Sequence, residues 1–129
     1  MKELLVPVSP GELLDKITIL RIKAMRITDT DKLANVRHEL QLLERTWHGA
    51  GNSGDSLAKE AAALQRVNER LWDIEDRLRE LEARRDFGPA FVELARAVYV
   101  TNDERAAIKR RINTALGSVI VEEKSYQAY

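Results

Sequence analysis

The segment NERLWDIEDRLRE, residues 68–80, carries the densest set of side chains suited to chemistry. Five of them recur at positions i, i+4, i+7, i+8 and i+11, namely Asn68, Trp72, Glu75, Asp76 and Arg79. In an α-helix this spacing places them on one stripe. An amide, an indole, two carboxylates and a guanidinium on one stripe either line a polar pocket or form an ordinary solvated face. Spacing alone favours the solvated face.

A second polar stripe lies in YVTNDERAAIKRRIN, residues 99–113. It consists of Asn102, Arg105, Lys109 and Asn113, at positions i, i+3, i+7 and i+11. If the two helices pack side by side, the two carboxylates of the first stripe face Arg105 and Lys109. This arrangement predicts either a charge-paired network between helices or a cleft with donors for a phosphate or carboxylate.

Arg21 is the third candidate, in the segment VPVSPGELLDKITILRIK. The helical period places it between Leu14 and Ile17, inside the apolar arc of the first predicted helix. A buried guanidinium needs a carboxylate partner or an anionic ligand. We therefore predict that Arg21 is buried and belongs to a site.

Paired carboxylates raise the question of metal binding. The pairs Glu12/Asp15 and Asp73/Asp76 have the i, i+3 spacing that helical bundles use for divalent ions. However, Glu12 is already explained as a capping residue, and no second pair matches well. We predict no metal site and no cofactor, and expect magnesium only if the protein is an enzyme acting on a phosphorylated ligand.

Capping signals divide the chain into helices that must position these side chains. A capping box with proline at the first helical position occurs at residues 9–12, and further starts are predicted within 28–31, at Asp55 or Ser56, and at a second capping box, residues 101–104. Gly88-Pro89 either begins a short helix or kinks a longer one. The intervening glycine-rich HGAGNSGDS is the clearest loop.

The apolar residues repeat with a helical period between these signals. In the third helix Leu57, Leu64, Leu71 and Leu78 fall seven residues apart, and Val67, Ile74 and Leu81 lie three residues after the last three of them. This a/d seam requires a partner helix along its length. We predict an all-α fold, a helical bundle built on a long antiparallel helical hairpin. The terminal segments LLVPV and SVIVEEK add a possible small β-pair, or exchange between subunits.

The first helix is apolar on two sides. Leu13, Ile17, Leu20 and Ala24 define the core face, whereas Ile19 and Ile22 lie opposite. Two apolar faces indicate that the helix is sandwiched. Central placement in the monomer and a homodimer contact explain this equally well. We expect a homodimer.

Composition restricts the class of protein. The 129 residues include 21 basic and 21 acidic side chains and no cysteine. A balanced charge argues against nucleic-acid binding, and the absence of cysteine excludes disulfides and thiolate chemistry. No apolar run is long enough for membrane insertion, and the N-terminus lacks a signal-peptide pattern. We expect one domain, residues 1–129, in the cytoplasm.

Five separated motifs resemble a bacterial domain family of unknown function. They are PVSPGELLDKITIL, KLANVRHEL, LWDIEDRLRELEARRDFG, VYVTND and VEEKSY, and they extend from about residue 5 to the C-terminus. More distantly, the N-x-x-L-W-x-x-E-D and N-x-x-R patterns resemble a second uncharacterised family. Genes of both families tend to lie near glycosyltransferases for lipopolysaccharide and other surface polysaccharides. The resemblance therefore implies a role in surface-polysaccharide biosynthesis, and it involves both polar stripes.

Three functions remain open at this point. The first is an accessory or binding module that holds an anionic sugar-phosphate-type ligand or a partner enzyme such as a glycosyltransferase. The second is an enzyme acting on a nucleotide or dianionic small molecule, with catalytic residues unknown. The third is a structural coiled-coil-like dimer. The predicted ligand-binding residues are Arg21, Asn68, Trp72, Glu75, Asp76, Asn102, Arg105 and Lys109.

Overall fold

The part of the chain that the structure describes folds into four α-helices. A computed structural model describes residues 3–51 and 57–129, and the helices are α1 (Pro10–Arg26), α2 (Thr30–Gly49), α3 (Ala58–Ala83) and α4 (Pro89–Ala115). The all-α prediction is confirmed. The described ranges contain no strand, so the β-pair predicted from the chain ends is not confirmed.

The first two predicted helix starts are confirmed by their capping hydrogen bonds. Ser9 Oγ accepts from the backbone N–H of Glu12 at 3.2 Å, and Asp29 Oδ1 accepts from that of Lys32 at 2.9 Å. Each bond satisfies one of the amide groups that a helix start leaves without a partner. The third predicted start lies in 52–56, outside the described residues, and α3 begins at Ala58.

The fourth predicted start, the capping box at Thr101, is wrong. Gly88 caps α4, Pro89 is its first residue, and the helix continues without interruption to Ala115. Thr101 lies in mid-helix and is buried. No glycine or proline interrupts residues 90–115, so intrahelical hydrogen bonds continue through the T-x-x-E sequence. Both alternatives for Gly88-Pro89, the start of a short helix and a kink in a longer one, are therefore wrong, because this pair begins one long helix.

Helix α1 lies at the centre of the bundle. It packs against α2, α3 and α4, and α3 also packs against α4. Ile17 and Ile22, from its two apolar faces, are each only 1% exposed. Central placement therefore accounts for both faces within one chain. The core combines α1 with the α3 seam and the second half of α4, and its buried members are Leu13, Leu14, Ile17, Trp47, Leu57, Leu64, Val67, Ile108 and Ile112.

Residues 116–129 fold back along α4 without regular secondary structure; we call them the C-terminal tail. The tail makes ion pairs Glu122–Lys109 at 3.1 Å and Glu123–Arg110 at 3.5 Å. Further along, the Tyr129 hydroxyl donates to a carboxylate oxygen of Asp103. The end of the tail therefore contacts an earlier part of α4 than its middle does, so the tail runs antiparallel to the helix.

Candidate functional site

A buried carboxylate, Asp15, joins three helices. Its side chain is 1% exposed and lies on the α1 face that meets α3 and α4. The guanidinium of Arg105 on α4 donates from Nε to Asp15 Oδ1 at 2.9 Å and from Nη2 to Oδ2. This bidentate geometry is the strongest that an arginine–carboxylate pair can form.

Asn68 on α3 completes the same cluster. Its Nδ2 donates to Asp15 Oδ1 and to Thr18 Oγ1, each at 2.9 Å. Thr18 in turn donates to the backbone carbonyl of Asp15 at 2.8 Å. Every buried side-chain nitrogen and oxygen in residues 3–51 and 57–129 has a hydrogen-bond partner. Because a buried charge without partners is very unfavourable, this cluster holds α1, α3 and α4 in one arrangement.

The electrostatics of the cluster further favour the charged form of Arg105. The hydrogen bond to Asp15 raises the pKa of Arg105 above its usual range, which outweighs the opposing effect of burial. A third nitrogen, Nη1, makes only a long 3.4 Å contact with Asn102 Oδ1. With 29% of the Arg105 side chain exposed, this nitrogen retains capacity to donate to a ligand.

A second charged cluster lies one turn further along α4. The ammonium of Lys109 is 2.6 Å from Glu12 Oε2 and 3.1 Å from Glu122 Oε2, and only 10% of its side chain is exposed. Burial alone lowers the pKa of Lys109, but the hydrogen bonds to both glutamates raise it overall. The Lys109 hydrogen bond also lowers the pKa of Glu122. Lys109 thus connects the start of α1 and the C-terminal tail to α4.

Gly11 allows α1 to approach α4 this closely. Its N–H donates to Asn113 Oδ1 at 2.7 Å. A Cβ at this position would lie 2.5 Å from the carbonyl oxygen of Lys109 and 2.9 Å from Asn113 Oδ1. Such distances are far below van der Waals contact, so only glycine fits. Asn113, the last member of the second stripe, therefore serves the α1–α4 contact.

Beside the Asp15 cluster lies an open groove of about 310 Å³, which we call the Trp72 groove. It is lined by Ile19, Ile22, Asn68, Leu71, Trp72, Glu75, Asp76 and Arg105. Its isoleucines and leucine form an apolar surface beside the indole, whereas Glu75 and Asp76 are exposed. The Arg26 guanidinium stands 5.8 Å from the centre of the Trp72 ring. Apolar surface, an aromatic ring and carboxylates together suit a ligand with both C–H faces and hydrogen-bond donors.

The two predicted stripes meet, but not with the predicted partners. Asn68, Trp72, Glu75, Asp76 and Arg105 all line the Trp72 groove. The expectation that Glu75 and Asp76 face Arg105 and Lys109 as ion-pair partners is wrong. Arg105 binds Asp15 of α1, and Lys109 binds one glutamate of α1 and one of the tail.

Three members of the two stripes differ in their polar contacts. Glu75 pairs with Arg79 at 3.6 Å on the surface of α3. Asn102 contacts Arg105 and does not line the groove. Asp76 belongs to the groove and to none of the ion pairs found in the described part of the chain.

The prediction that Arg21 is buried is wrong. Its side chain is 46% exposed and pairs with Glu44 of α2 at 3.3 Å. Arg21 lines a separate depression of α1, α2 and α3, together with Met25 and Leu40. A long side chain at the edge of an apolar arc reaches solvent while its methylene groups cover the neighbouring surface. Arg21 therefore does not contribute to the Trp72 groove.

Asp15 and Thr18 are the site residues that sequence reasoning missed. Gly11, Asp15, Thr18 and Ile22 recur at i, i+4, i+7 and i+11, and all four are buried. This periodicity indicates a second contact face on α1. Two of its members are polar, however, and polar residues at this spacing usually indicate a solvated face. Their burial can be inferred only when the guanidinium and the amide that bind them from other helices are known.

The search for a metal site covers the residues that the structure describes. Within residues 3–51 and 57–129, no cluster of three or more histidine, cysteine, aspartate or glutamate side chains is arranged to hold a metal ion. Asp15 donates no proton in its present contacts, since both of its oxygens accept hydrogen bonds.

Fold and site together define an all-α protein with a buried charged cluster beside an open groove. A family of unknown function (DUF6165) matches residues 4–129, and the chain belongs to this family. No curated protein and no solved structure matches the chain significantly. None of the described helices combines the length and apolar character needed to cross a membrane.

Proposed function

We propose that this protein is a binding module whose Trp72 groove takes the sugar moiety of a carbohydrate-type ligand. The observation that carries the proposal is the convergence of Trp72, Glu75, Asp76 and Arg105 on one groove of about 310 Å³. These residues come from α3 and α4, while α1 supplies Ile19 and Ile22. The volume lies at the lower end of the range of small-ligand sites.

Each groove residue has a role that follows from its chemistry. The indole of Trp72 stacks on the C–H face of a sugar ring, on the side away from Arg26. The exposed carboxylates of Glu75 and Asp76 accept hydrogen bonds from hydroxyl groups. Arg105 donates from Nη1, the nitrogen that Asp15 does not use.

The charge of the groove favours a sugar over a strongly anionic ligand. All three cations of the sequence-based hypothesis are already paired, Arg21 with Glu44, Arg105 with Asp15, and Lys109 with two glutamates. The acidic pair at 75 and 76 repels a phosphate further. A phosphate attached to the sugar therefore adds little affinity, and we place it at Arg105 only.

We further propose that the module acts in the cytoplasm in bacterial surface-polysaccharide biosynthesis, as a homodimer and beside a glycosyltransferase partner. The resemblance to families encoded near glycosyltransferases supports the setting. Exposed apolar residues in both terminal segments, such as Leu5 at 89% and Val119 at 97%, support contact with a second copy.

We also propose that α3 and α4 form the antiparallel hairpin. Glu60, early in α3, pairs with Arg111, late in α4, whereas Arg70, later in α3, pairs with Glu104, earlier in α4. Two helices whose contacts run in opposite order along the chain support an antiparallel arrangement.

Fluorine NMR of protein labelled with 5-fluorotryptophan tests the groove directly. The chain has two tryptophans, Trp72 in the groove and the buried Trp47, which serves as an internal reference. The probes are the methyl glycosides and the 1-phosphates of glucose, galactose, mannose and N-acetylglucosamine. We expect at least one sugar to shift the Trp72 signal and leave the Trp47 signal unchanged.

Two variants distinguish a loss of binding at the groove from a loss caused by a general change in the fold. Asp76→Asn should weaken binding of the active sugar about tenfold, since an exposed acceptor is lost. Glu80→Gln, an exposed carboxylate of α3 outside the groove, should leave binding unchanged. No response of Trp72 to any of the eight probes would exclude the proposal.

A purely structural role is the second candidate. It is favoured by one observation, that the most buried charges are paired within the chain. In that case substitutions at Asp15 and Lys109 change stability alone, and substitutions at Asp76 change nothing measurable. Magnesium-dependent turnover of nucleotides would instead support the enzyme alternative.

A further inference from the structure

A second cavity, separate from the Trp72 groove, lies between α4 and the C-terminal tail. Its volume is about 900 Å³, within the range of small-ligand sites. The residues around it are Val98, Tyr99, Asn102, Asp103, Lys124, Tyr126, Gln127, Ala128 and Tyr129. The sequence contains three tyrosines, and all three line this cavity. We call it the tyrosine cavity.

The three rings are exposed although they are large. Tyr99 is 45% exposed, Tyr126 is 78% and Tyr129 is 79%. Tyr99 and Tyr129 meet edge to face, with ring centres 5.2 Å apart. Exposed apolar surface that is clustered in this way is a feature of binding sites.

The polar groups of the tyrosine cavity determine the class of ligand. Four of its residues, Asn102, Asp103, Lys124 and Gln127, add donors and acceptors to the three phenolic hydroxyls. A ligand that contacts both the aromatic rings and these donors and acceptors needs apolar faces and many hydroxyl groups. Sugar rings have this combination, since their C–H faces stack on aromatic rings while their hydroxyls bond to amides and carboxylates.

An organic cation fits the tyrosine cavity less well. The ammonium of Lys124 stands 5.6 Å from the centre of the Tyr126 ring, so this face already has a cation beside it. The Asp103 carboxylate accepts a hydrogen bond from the Tyr129 hydroxyl. A proline-rich peptide uses aromatic rings but offers few donors to the surrounding amides and carboxylate.

We propose that the tyrosine cavity is a second carbohydrate site and that it binds an oligosaccharide of a few residues. It does not depend on the Trp72 groove for its residues. Asn102 lines the tyrosine cavity and Arg105 lines the groove, and the long 3.4 Å contact between their side chains makes the two sites neighbours on α4. The failure of either site leaves the other intact.

Fluorine NMR of protein labelled with 3-fluorotyrosine tests this proposal. All three signals arise from the tyrosine cavity, because the chain has no other tyrosine. The probes are cellotriose, maltotriose and tri-N-acetylchitotriose, each titrated to millimolar concentration. We expect at least one trisaccharide to shift two or more tyrosine signals.

Matched variants then assign the binding. Tyr126→Ala should weaken binding of the active trisaccharide about tenfold. This residue is largely exposed, so the loss of its ring leaves the fold intact. Phe87→Ala removes a half-exposed aromatic ring outside the cavity and should leave the affinity unchanged.

Three results would overturn the proposal. One is silence of all tyrosine signals with the three trisaccharides. Another is a response to tetramethylammonium or to a deca-proline peptide that the trisaccharides do not produce. The third is equal affinity of the Tyr126→Ala and unsubstituted proteins for the active trisaccharide. The tryptophan signals report separately on the Trp72 groove, so its failure is distinguishable from failure here.

Discussion

Asp15 illustrates how much a single residue contributes to this molecule. Asp15→Ala removes a carboxylate that is 1% exposed and leaves Arg105 and Asn68 without their main acceptor. Breaking a buried ion pair in this way costs about 3 kcal/mol or more. We expect urea denaturation to show a loss of this size. The matched variant Asp73→Ala breaks the exposed pair with Arg26 and should cost less than about 1 kcal/mol. Equal losses for the two variants would contradict the buried-cluster interpretation.

Gly11 gives a second prediction at the residue scale. In Gly11→Ala the new Cβ meets the Lys109 carbonyl at 2.5 Å, and α1 must move away from α4. Overpacking of this kind destabilises by about 1–3 kcal/mol. Gly49, the last residue of α2, has no atom within 4 Å of an added Cβ. Gly49→Ala should therefore be neutral or slightly stabilising, by up to about 1 kcal/mol. Thermal unfolding of both variants checks the contrast.

At the scale of elements, α3 and α4 end with the same turn but with different residues. Arg85 follows α3 with φ of 55°, and Gly117 follows α4 with φ of 63°. In both, the next residue donates its N–H back to the helix, from Asp86 to Leu81 and from Ser118 to Asn113, at 2.9 Å. This is a left-handed helix terminus, in which glycine carries no steric cost.

The substitution Arg85→Gly should therefore stabilise the protein by about 1 kcal/mol. The reverse experiment, Gly117→Ala, should destabilise it by a similar amount. Chemical denaturation gives both values. If Arg85→Gly lowers stability, the side chain of Arg85 makes contacts that outweigh the conformational relief.

The attachment of the C-terminal tail to α4 should depend on pH through Glu122. Its pKa is lowered from 4.5 by the hydrogen bond from Lys109, in a cluster that also contains Glu12 and Lys124. A lowered pKa stabilises the attached tail above pH 4.5, and this contribution is lost as the pH falls through the lowered value. The Lys109 pKa is raised from 10.5, so its contribution is complete below that pH.

Backbone relaxation measurements of residues 122–128, from about pH 7 to about pH 3, test this attachment. We expect the tail to become mobile in the acid range. Glu122→Gln should mobilise it at neutral pH as well. The exposed Glu123, 3.5 Å from Arg110, is the control, and Glu123→Gln should have little effect. An ordered tail in Glu122→Gln would show that other contacts hold it.

At the scale of the whole molecule, the proposed homodimer makes a clear prediction. Sedimentation at micromolar concentrations should give twice the mass of one chain. Leu5→Lys, which places a charge on an exposed apolar segment, should shift the equilibrium towards the monomer. Met25→Lys alters a residue that is 69% exposed outside both terminal segments and should not. A monomer at every concentration would remove the dimer from the proposal.

The sequence by itself determined the features that depend on local chemistry. The capping residues Ser9 and Asp29 and the leucine seam of α3 predicted helices and a helical core, because caps and apolar periodicity act within a few residues. It also identified Trp72 and Asp76 as neighbours on one stripe. The family match adds the assignment to DUF6165 over residues 4–129.

Only the tertiary structure decided which charges meet. Arg105 lies 90 residues from Asp15, and nothing in local spacing favours that carboxylate over Glu75. The pairing depends on α1 packing between α3 and α4, which Gly11 permits by its lack of a side chain. The same packing leaves the Arg21 side chain in solvent. The continuous hydrogen bonds of α4 run through Thr101, where the sequence predicted a helix start. Long-range pairing is a property of how helices dock, and the spacing within a single helix does not contain it.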